Sequence, residues 1–172
     1  MNSDTEPANL DYYYYESPFG ILETCSKNST LVGLKFVNNK TKTTTKPSPF
    51  QQKVRNQLNA YFFHGLKIFN LPIRIEGTDF QKRIWNYLLS IPYGSTVSYQ
   101  TIADALNMPS STRAIATNIG KNPILIIIPC HRVIGIDGSL KGYSGGLNRK
   151  ARLIDLENKK YFYSLPIDHR IQ

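Results

Sequence analysis

Residues 122–133 read NPILIIIPCHRV, and the organisation of the whole chain is clearest when followed outward from them. Five apolar residues, Ile124 to Ile128, stand between Asn122-Pro123 on one side and Pro129 on the other. A short apolar run bounded by turn residues is typical of a buried segment. The pattern therefore predicts a segment fixed in the core that holds the next residues, Cys130 and His131, at a defined place.

Helical patterns lie on both sides of this segment. Thr78 or Asp79 can cap a helix whose apolar residues recur at helical spacing as far as Leu88. Further helices are predicted from Ser98 to Leu106, from Ser110 or Ser111 to Gly120, and from Asn148 to about Asn158. The middle two have the outline of a helix-turn-helix. In the first of that pair, Ile102, Ala105 and Leu106 are expected to face inward.

The first part of the chain predicts a small antiparallel sheet with one helix. Strand-like runs lie at Tyr12–Tyr15, Ile21–Cys25 and Leu31–Val37, separated by turn residues. Ser48 and Pro49 then begin a helix that Gly65 ends. Leu71–Glu76 is expected to be a connector with one short extended piece.

Composition excludes several classes of protein. The 172 residues allow one domain or two small ones, and no apolar run approaches the ~20 residues of a membrane span. The polar N-terminus is unlike a signal peptide, so a cytoplasmic protein is expected, or a nuclear one if the source is eukaryotic. Cys25 and Cys130 form no CxxC pair, which excludes a disulfide scaffold and leaves no four-ligand zinc set, so no metal is predicted. The net charge of +9 favours polyanionic partners, nucleic acid first.

Cys130 and His131 are the candidate reactive pair. A thiol reacts as the thiolate, which needs a nearby base or positive charge because the free pKa is about 8.5. Adjacent side chains do not face each other on a helix or a strand, so contact needs a bend at Pro129, or a water must link the two. Glu157 on the last helix is a candidate for the carboxylate that orients the imidazole. Cys130 taken alone could equally be a buried structural cysteine.

A resemblance supplies context for this pair. The motif IPCHRV (Ile128–Val133), with Asn122-Pro123 before it and GYSGG (Gly142–Gly146) after it, resembles the 6-O-alkylguanine-DNA alkyltransferases, also called methylated-DNA–protein-cysteine methyltransferases. The resemblance runs without a gap from about Phe80 to Glu157. The strand pattern with SPFG (Ser17–Gly20) looks like the family's N-terminal domain, although PCHRV is far more specific.

The resemblance implies catalytic roles for five residues. Cys130 matches the acceptor, whose thiolate takes the alkyl carbon from the guanine oxygen and keeps it as a thioether. His131 matches the residue that removes the thiol proton through a water, and Glu157 matches the carboxylate behind it. Asn122 matches the hinge between the DNA-reading helix and the active-site segment. Tyr99 matches the tyrosine whose hydroxyl serves the guanine ring as negative charge develops there.

The resemblance also implies residues for DNA and pocket contacts. Arg113 matches the arginine finger that fills the stack when the damaged nucleotide is rotated out. Thr117 and Asn118 stand on the DNA-reading helix where the family usually has Gly and Ala, so docking is expected to be displaced if both face DNA. The remaining matches concern the substrate pocket: Val133 and the Cys130 backbone as acceptors for the guanine amino group, Tyr143 and Ser144 in the loop that closes the pocket, and Lys150 beside that loop.

These observations predict a two-domain α/β (α+β) protein. Residues 1–76 are expected to form the sheet-and-helix domain, and residues 77–172 a helical, winged-helix-like domain for DNA binding and alkyl transfer. The resemblance implies a monomeric, single-turnover methyltransferase that flips 6-O-alkylguanine out of duplex DNA and repairs it without a cofactor.

Two other classes fit parts of the sequence. A non-reactive damage reader or helix-turn-helix regulator would bind the same DNA and would not need Cys130. A thiol hydrolase built on Cys130 and His131 would turn over many ester or amide substrates and would not need Arg113 or Tyr99.

Overall fold

The computed structural model describes residues 10–42 and 46–159, which form an antiparallel sheet with one helix followed by a helical half. The strands are β1 (Asp11–Ser17), β2 (Gly20–Lys27), β3 (Thr30–Val37), β4 (Val97–Ser98) and β5 (Val133–Ile134). The helices are α1 (Pro49–His64), α2 (Asp79–Leu89), α3 (Tyr99–Ala105), α4 (Thr112–Ile119) and α5 (Leu147–Glu157), with 3-10 turns at Pro109–Ser111 and Cys130–Arg132. Within the described ranges, no helix combines the length and the apolar character needed to cross a bilayer.

The first three strands form a meander in the order β1-β2-β3, which confirms the predicted sheet. Ser17 pairs with Gly20, so Pro18 and Phe19 form a two-residue turn. Asn28 and Ser29 close the second hairpin with φ values of 50° and 54°, the left-handed conformation that a two-residue hairpin turn of type I′ requires. Tight turns therefore fix the register of all three strands.

Helix α1 packs on this sheet, and both of its ends are set by local chemistry. The Ser48 hydroxyl accepts a hydrogen bond from the Gln51 backbone N–H at the first turn. Gly65 ends the helix with φ 67°, where any residue with a Cβ is strained. The apolar face buries Val54, Leu58, Tyr61 and Phe62. Tyr61 thereby reaches the core that the sheet shares with the helical half.

The outer edge of β3 joins the two halves of the chain. Leu31 exchanges backbone hydrogen bonds with the connector, donating to Pro72 and accepting from Arg74, each at 2.9 Å. Ile73 therefore forms the extended piece predicted for the connector. Further along, Leu34 donates to Pro123 at 2.9 Å and accepts from Leu125 at 2.8 Å. The segment before Cys130 is thus held against the N-terminal sheet by the backbone.

The helical half is arranged around α2, α3 and α4. Helix α2 begins with a capping box between Thr78 and Gln81. Its Trp85 indole N–H donates to the Asn118 carbonyl at 3.0 Å and fixes α4 against it. Helices α3 and α4 follow each other around the Pro109–Ser111 turn, which confirms the helix-turn-helix outline. On α3 the inward expectation for Ala105 is wrong: it is exposed, and Ala103 is buried instead.

The segment Ile124–Ile128 is buried, as predicted, and it is tightly turned. All five residues are less than 10 % exposed. Ile126 has φ 71°, an uncommon conformation for a β-branched residue. Such backbone is held in place only when the surroundings over-determine it. Here the strand edge on one side and the Cys130 turn on the other constrain the segment.

Candidate active site

Cys130 lies at the start of a buried 3-10 turn, with its sulfur held by Asn122. The residue is 3 % exposed. The Asn122 amide nitrogen lies 3.0 Å from the Cys130 Sγ and donates to the Ile128 carbonyl at 2.7 Å. Its amide oxygen accepts from the Ile124 N–H at 2.9 Å. Asn122 follows α4 by three residues, so one side chain connects the end of that helix, the turned segment and the thiol.

His131 and Glu157 form a buried pair beside the thiol turn. The His131 Nε2 atom lies 2.8 Å from the Glu157 Oε1 atom. The other ring nitrogen, Nδ1, is buried with no hydrogen-bond partner among the described residues. No hydrogen bond in the described part of the chain joins the imidazole directly to the Cys130 sulfur. An ionised Glu157 makes Nε2 the donor, which leaves Nδ1 as the nitrogen able to accept a proton.

The Glu157 carboxylate is surrounded by donors. The Arg132 guanidinium donates two hydrogen bonds of 2.9 Å to it, from Nε to Oε2 and from Nη2 to Oε1. The Gly94 backbone N–H donates to Oε2 at 3.0 Å, and the Tyr61 hydroxyl donates to Oε1 at 2.8 Å. Burial alone would raise the pKa of Glu157, but the hydrogen bonds and charges of His131 and Arg132 outweigh burial and bring this pKa to about 2. Glu157 is therefore a carboxylate throughout the physiological range.

Burial favours the neutral forms of both Cys130 and His131. Burial raises the pKa of the Cys130 thiol to about 11, against the opposing effects of the Asn122 hydrogen bond and the Lys150 charge. Burial also lowers the pKa of His131, and the contribution of Glu157 in the other direction does not reverse that shift. A neutral imidazole beside a protonated thiol is the arrangement of a general base before proton transfer.

A cavity of about 820 Å³ opens between α4 and the loop that follows β5. Tyr99, Arg113, Tyr143 and Ser144, all predicted site residues, line it. Burial, and after it the charge of Cys130, raises the pKa of Tyr99, and the same two causes raise that of Tyr143. Both hydroxyls therefore remain protonated at neutral pH; that of Tyr99 donates to the Lys141 carbonyl at 2.7 Å, and that of Tyr143 has no hydrogen-bond partner among the described residues.

Two predicted pocket residues lie behind the cavity wall. Val133 is fully buried in β5, where it pairs with Val97. Lys150 is also fully buried, and its Nζ donates to the carbonyls of Lys141 at 2.6 Å and Gly142 at 3.3 Å. Burial lowers the pKa of Lys150 to about 8, with the charge of Cys130 acting in the opposite direction. Lys150 therefore supports the Tyr143 loop from inside the protein.

The two bulky residues of α4 face different ways. Thr117 is exposed and donates to the Arg113 carbonyl at 3.0 Å, so it shares the outer face of α4 with Arg113 without lining the cavity. Asn118 instead accepts from the Gln81 side chain on α2 at 3.1 Å. Asn118 is thus turned toward α2, while Thr117 is exposed.

Sequence reasoning missed three contributors to the site: Tyr61, Gly94 and Arg132. Arg132 directly follows Cys130 and His131 in the PCHRV motif, and this position could have indicated that it belongs to the site. Gly94 contributes only a backbone N–H, and Tyr61 has the spacing of an ordinary residue on an apolar helix face.

Among the described residues, no group of three or more His, Cys, Asp and Glu side chains is arranged to hold a metal ion.

Comparison with known proteins gives consistent matches along the chain. Residues 10–75 match the family model described as "6-O-methylguanine DNA methyltransferase, ribonuclease-like domain", and residues 79–159 match its "DNA binding domain". A methylated-DNA–protein-cysteine methyltransferase of Mycobacterium tuberculosis is 44% identical over 156 residues, which are 88% of this chain and 94% of the relative. One from Methanosarcina acetivorans is 40% identical over 151 residues, covering 85% and 97%.

Solved structures give the same result. The crystal structure of M. tuberculosis O6-methylguanine methyltransferase matches with a TM-score of 0.80 and 41% identity, covering 93% of this chain and 97% of that one. The M. tuberculosis protein OGT in complex with DNA matches with a TM-score of 0.79 and 44% identity, covering 87% and 94%.

Proposed function

The chain belongs to the 6-O-methylguanine DNA methyltransferase family, and we propose that Cys130 is the residue that receives the alkyl group. The protein is a DNA-repair methyltransferase that binds DNA and transfers an alkyl group from it to a protein cysteine. One observation carries the assignment to Cys130: its sulfur is held by the Asn122 amide at 3.0 Å in the same buried turn as His131, and its charge acts on Tyr99 and Tyr143, which line the cavity. Cys25, the other cysteine, lies on β2 in the N-terminal sheet.

In the proposed reaction, the Cys130 proton passes through a water to His131 Nδ1. The Asn122 amide stabilises the resulting thiolate, and Glu157 stabilises the imidazolium. The sulfur then attacks the alkyl carbon in line, so an S–C bond forms as the C–O bond to guanine breaks. The Tyr99 hydroxyl, which in this structure donates to the Lys141 carbonyl at 2.7 Å, exchanges that hydrogen bond for one to the guanine ring as negative charge develops there. The thioether is not reversed, so each molecule acts once and needs no cofactor.

We propose that the partner is duplex DNA carrying an alkylated guanine, bound through its minor groove with little sequence preference. The net charge of +9 favours phosphate contacts, and the exposed face of α4 presents Arg113 and Thr117 beside the cavity. Arg113 would fill the stack when the damaged nucleotide enters the cavity, with Tyr143 and Ser144 closing over it.

The proposal also gives the two parts of the chain different roles. Residues 1–76 would form the supporting domain and residues 77–172 the domain for DNA binding and transfer. The protein would act as a monomer, because a single chain holds every group used. Its substrate is DNA, so its proposed location is the cytoplasm, or the nucleus of a eukaryotic cell.

The test is the intact mass of the protein after incubation with a duplex containing 6-O-methylguanine. We expect a gain of one methylene group, mapped to the Cys130 peptide, absent from Cys130→Ala and retained in the control Cys25→Ala. An unchanged wild-type mass with tight binding would instead indicate a non-reactive damage reader. Repeated turnover of esters or amides by Cys130 would indicate a thiol hydrolase.

A further inference from the structure

Helix α1 contributes a buried hydroxyl to the site on the opposite half of the chain. Tyr61 is fully buried, and its Oη lies 2.8 Å from Glu157 Oε1 although the two residues are 96 positions apart. The same oxygen accepts from His131 at 2.8 Å and from Arg132 at 2.9 Å. Three donors therefore share one carboxylate oxygen, and one of them is the imidazole beside the thiol.

We propose that Tyr61 is a positioning residue for alkyl transfer: its hydroxyl fixes the carboxylate that orients His131 and sets how strongly that carboxylate attracts the imidazole proton. The proposal rests on the roles proposed above for Cys130 and His131. The N-terminal half then contributes to the site, because α1 supplies one of the three donors to this oxygen and the helical half supplies the other two.

Geometry explains why this hydroxyl is needed. The Gly94 N–H and Arg132 Nε bind Oε2, whereas the Tyr61 hydroxyl binds Oε1, the oxygen that His131 also contacts. At Oε1 the Tyr61 hydroxyl takes up part of the negative charge that would otherwise act on His131 and Arg132 only. The ring of Tyr61 is itself fixed edge-on against Phe62 and Tyr93. Its hydroxyl is therefore directed at Oε1 by packing.

The sign of the effect follows from the charges around Glu157. Arg132 and His131 face it from the thiol turn, Tyr61 from α1 and Tyr93 from the loop after α2, while Lys150 acts on His131 from α5. Removal of the Tyr61 hydroxyl leaves more negative charge on Oε1 toward the imidazole. The protonated form of His131 is then favoured, so its pKa rises and less neutral base is present at acid pH.

The experiment is the pH profile of the second-order rate of methyl transfer from a 6-O-methylguanine duplex, measured for wild type and Tyr61→Phe. We expect the acid limb to move to higher pH by about half a unit, which lowers the rate on that limb about threefold. At pH values above the acid limb, where His131 is neutral in both proteins, the two rates should be nearly equal. A purely structural role for Tyr61 would lower the rate at all pH values without moving the acid limb.

The chain offers a matched control in Tyr14→Phe. Tyr14 is buried, and its hydroxyl donates to Glu23 Oε2 at 2.9 Å in the N-terminal sheet, so this variant also loses a tyrosine–carboxylate hydrogen bond, together with the bonds that the hydroxyl accepts from the Thr41 and Lys42 N–H groups. An acid limb unchanged in Tyr61→Phe, or moved equally in Tyr14→Phe, would overturn the proposal, as would a Tyr61→Phe protein that does not fold. Methylation of wild-type Cys130 is scored separately by mass, so the proposed function can stand where this inference fails.

Discussion

Glu157 is the residue on which the site depends most, because it is buried, charged and shared by two halves of the chain. Its pKa of about 2 in the folded protein lies below the ordinary value of 4.5. A carboxyl group with a depressed pKa contributes stability that is complete above its unfolded pKa and is lost as pH falls toward its folded pKa. The contribution of Glu157 is therefore present at neutral pH and disappears between about pH 5 and pH 2.

Substitution of this carboxylate should be costly and should flatten the pH dependence. We expect Glu157→Gln to lower the free energy of unfolding at pH 7 by about 3 kcal/mol, since it leaves the buried Arg132 without its counter-charge. The loss of stability between pH 5 and pH 3 should be smaller in the variant than in wild type.

Urea unfolding at pH 3, 5 and 7 measures both effects. Glu76→Gln is the control, because that carboxylate is 73% exposed and pairs with Arg74 on the surface, where an ion pair contributes little. Equal pH slopes in wild type and Glu157→Gln would show that folding does not lower the pKa of this carboxyl group.

Sequence reasoning reached Cys130, His131 and Glu157 but not Tyr61, and the reason is physical. Cys130 and His131 are adjacent in a specific motif, and Glu157 is a carboxylate on a predicted helix. Tyr61 lies on an apolar helix face, where a tyrosine is indistinguishable by spacing from a core residue. Only the packing of α1 against the helical half brings its hydroxyl to the carboxylate.

At the scale of elements, helix α4 is the part that meets DNA in the proposed function. We expect Arg113→Ala to lower the rate of methyl transfer from a 6-O-methylguanine duplex at least about tenfold, because extrusion of the nucleotide costs a few kcal/mol that the arginine offsets. Transfer from the free 6-O-methylguanine base should be unchanged, since no base has to leave a stack.

The control is Arg55→Ala, which removes the same charge from the exposed face of α1. Its duplex rate should change only through the reduced net charge, and that change should diminish as salt is added. Equal losses in Arg113→Ala on duplex and on free base would contradict the proposed role.

Helix boundaries were the most predictable features of these elements, because their causes are local. Ser48, Thr78 and Ser98 each accept a hydrogen bond from the third residue of the helix that follows, as a capping residue does. The buried face of α3 was less predictable. With seven residues the helix has only two turns, so apolar spacing did not distinguish Ala103 from Ala105. The φ of Ile126 follows from the tertiary contacts on both sides and has no local sequence signal.

At the scale of the whole molecule, the two halves should unfold together. Leu34 is fully buried on β3 and makes backbone hydrogen bonds to Pro123 and Leu125 just before the thiol turn. We expect Leu34→Ala to destabilise the protein by about 2–5 kcal/mol through the cavity it leaves. The only tryptophan, Trp85, lies in the helical half, so its fluorescence reports on the half that does not contain the substitution.

The measurement is urea unfolding followed by Trp85 fluorescence and by far-ultraviolet circular dichroism. Both signals should give one midpoint in wild type, and both should move to lower urea by the same amount in Leu34→Ala. A tryptophan midpoint that stays at its wild-type value would show that the halves unfold independently.

The coverage of the β3 edge by other segments of the chain also affects the tendency of the protein to aggregate at high concentration. Open strand edges are templates on which other molecules can add strands, and this is a common start of aggregation. Leu31 and Leu34 have their edge groups occupied by residues 72–74 and 123–125 of the same chain. In this sheet, strand addition is then left mainly to β1, where Glu16 is paired with Lys40. Each copy of the chain also carries a net charge of +9, and repulsion between like-charged molecules opposes their approach, which should keep concentrated solutions of the protein clear.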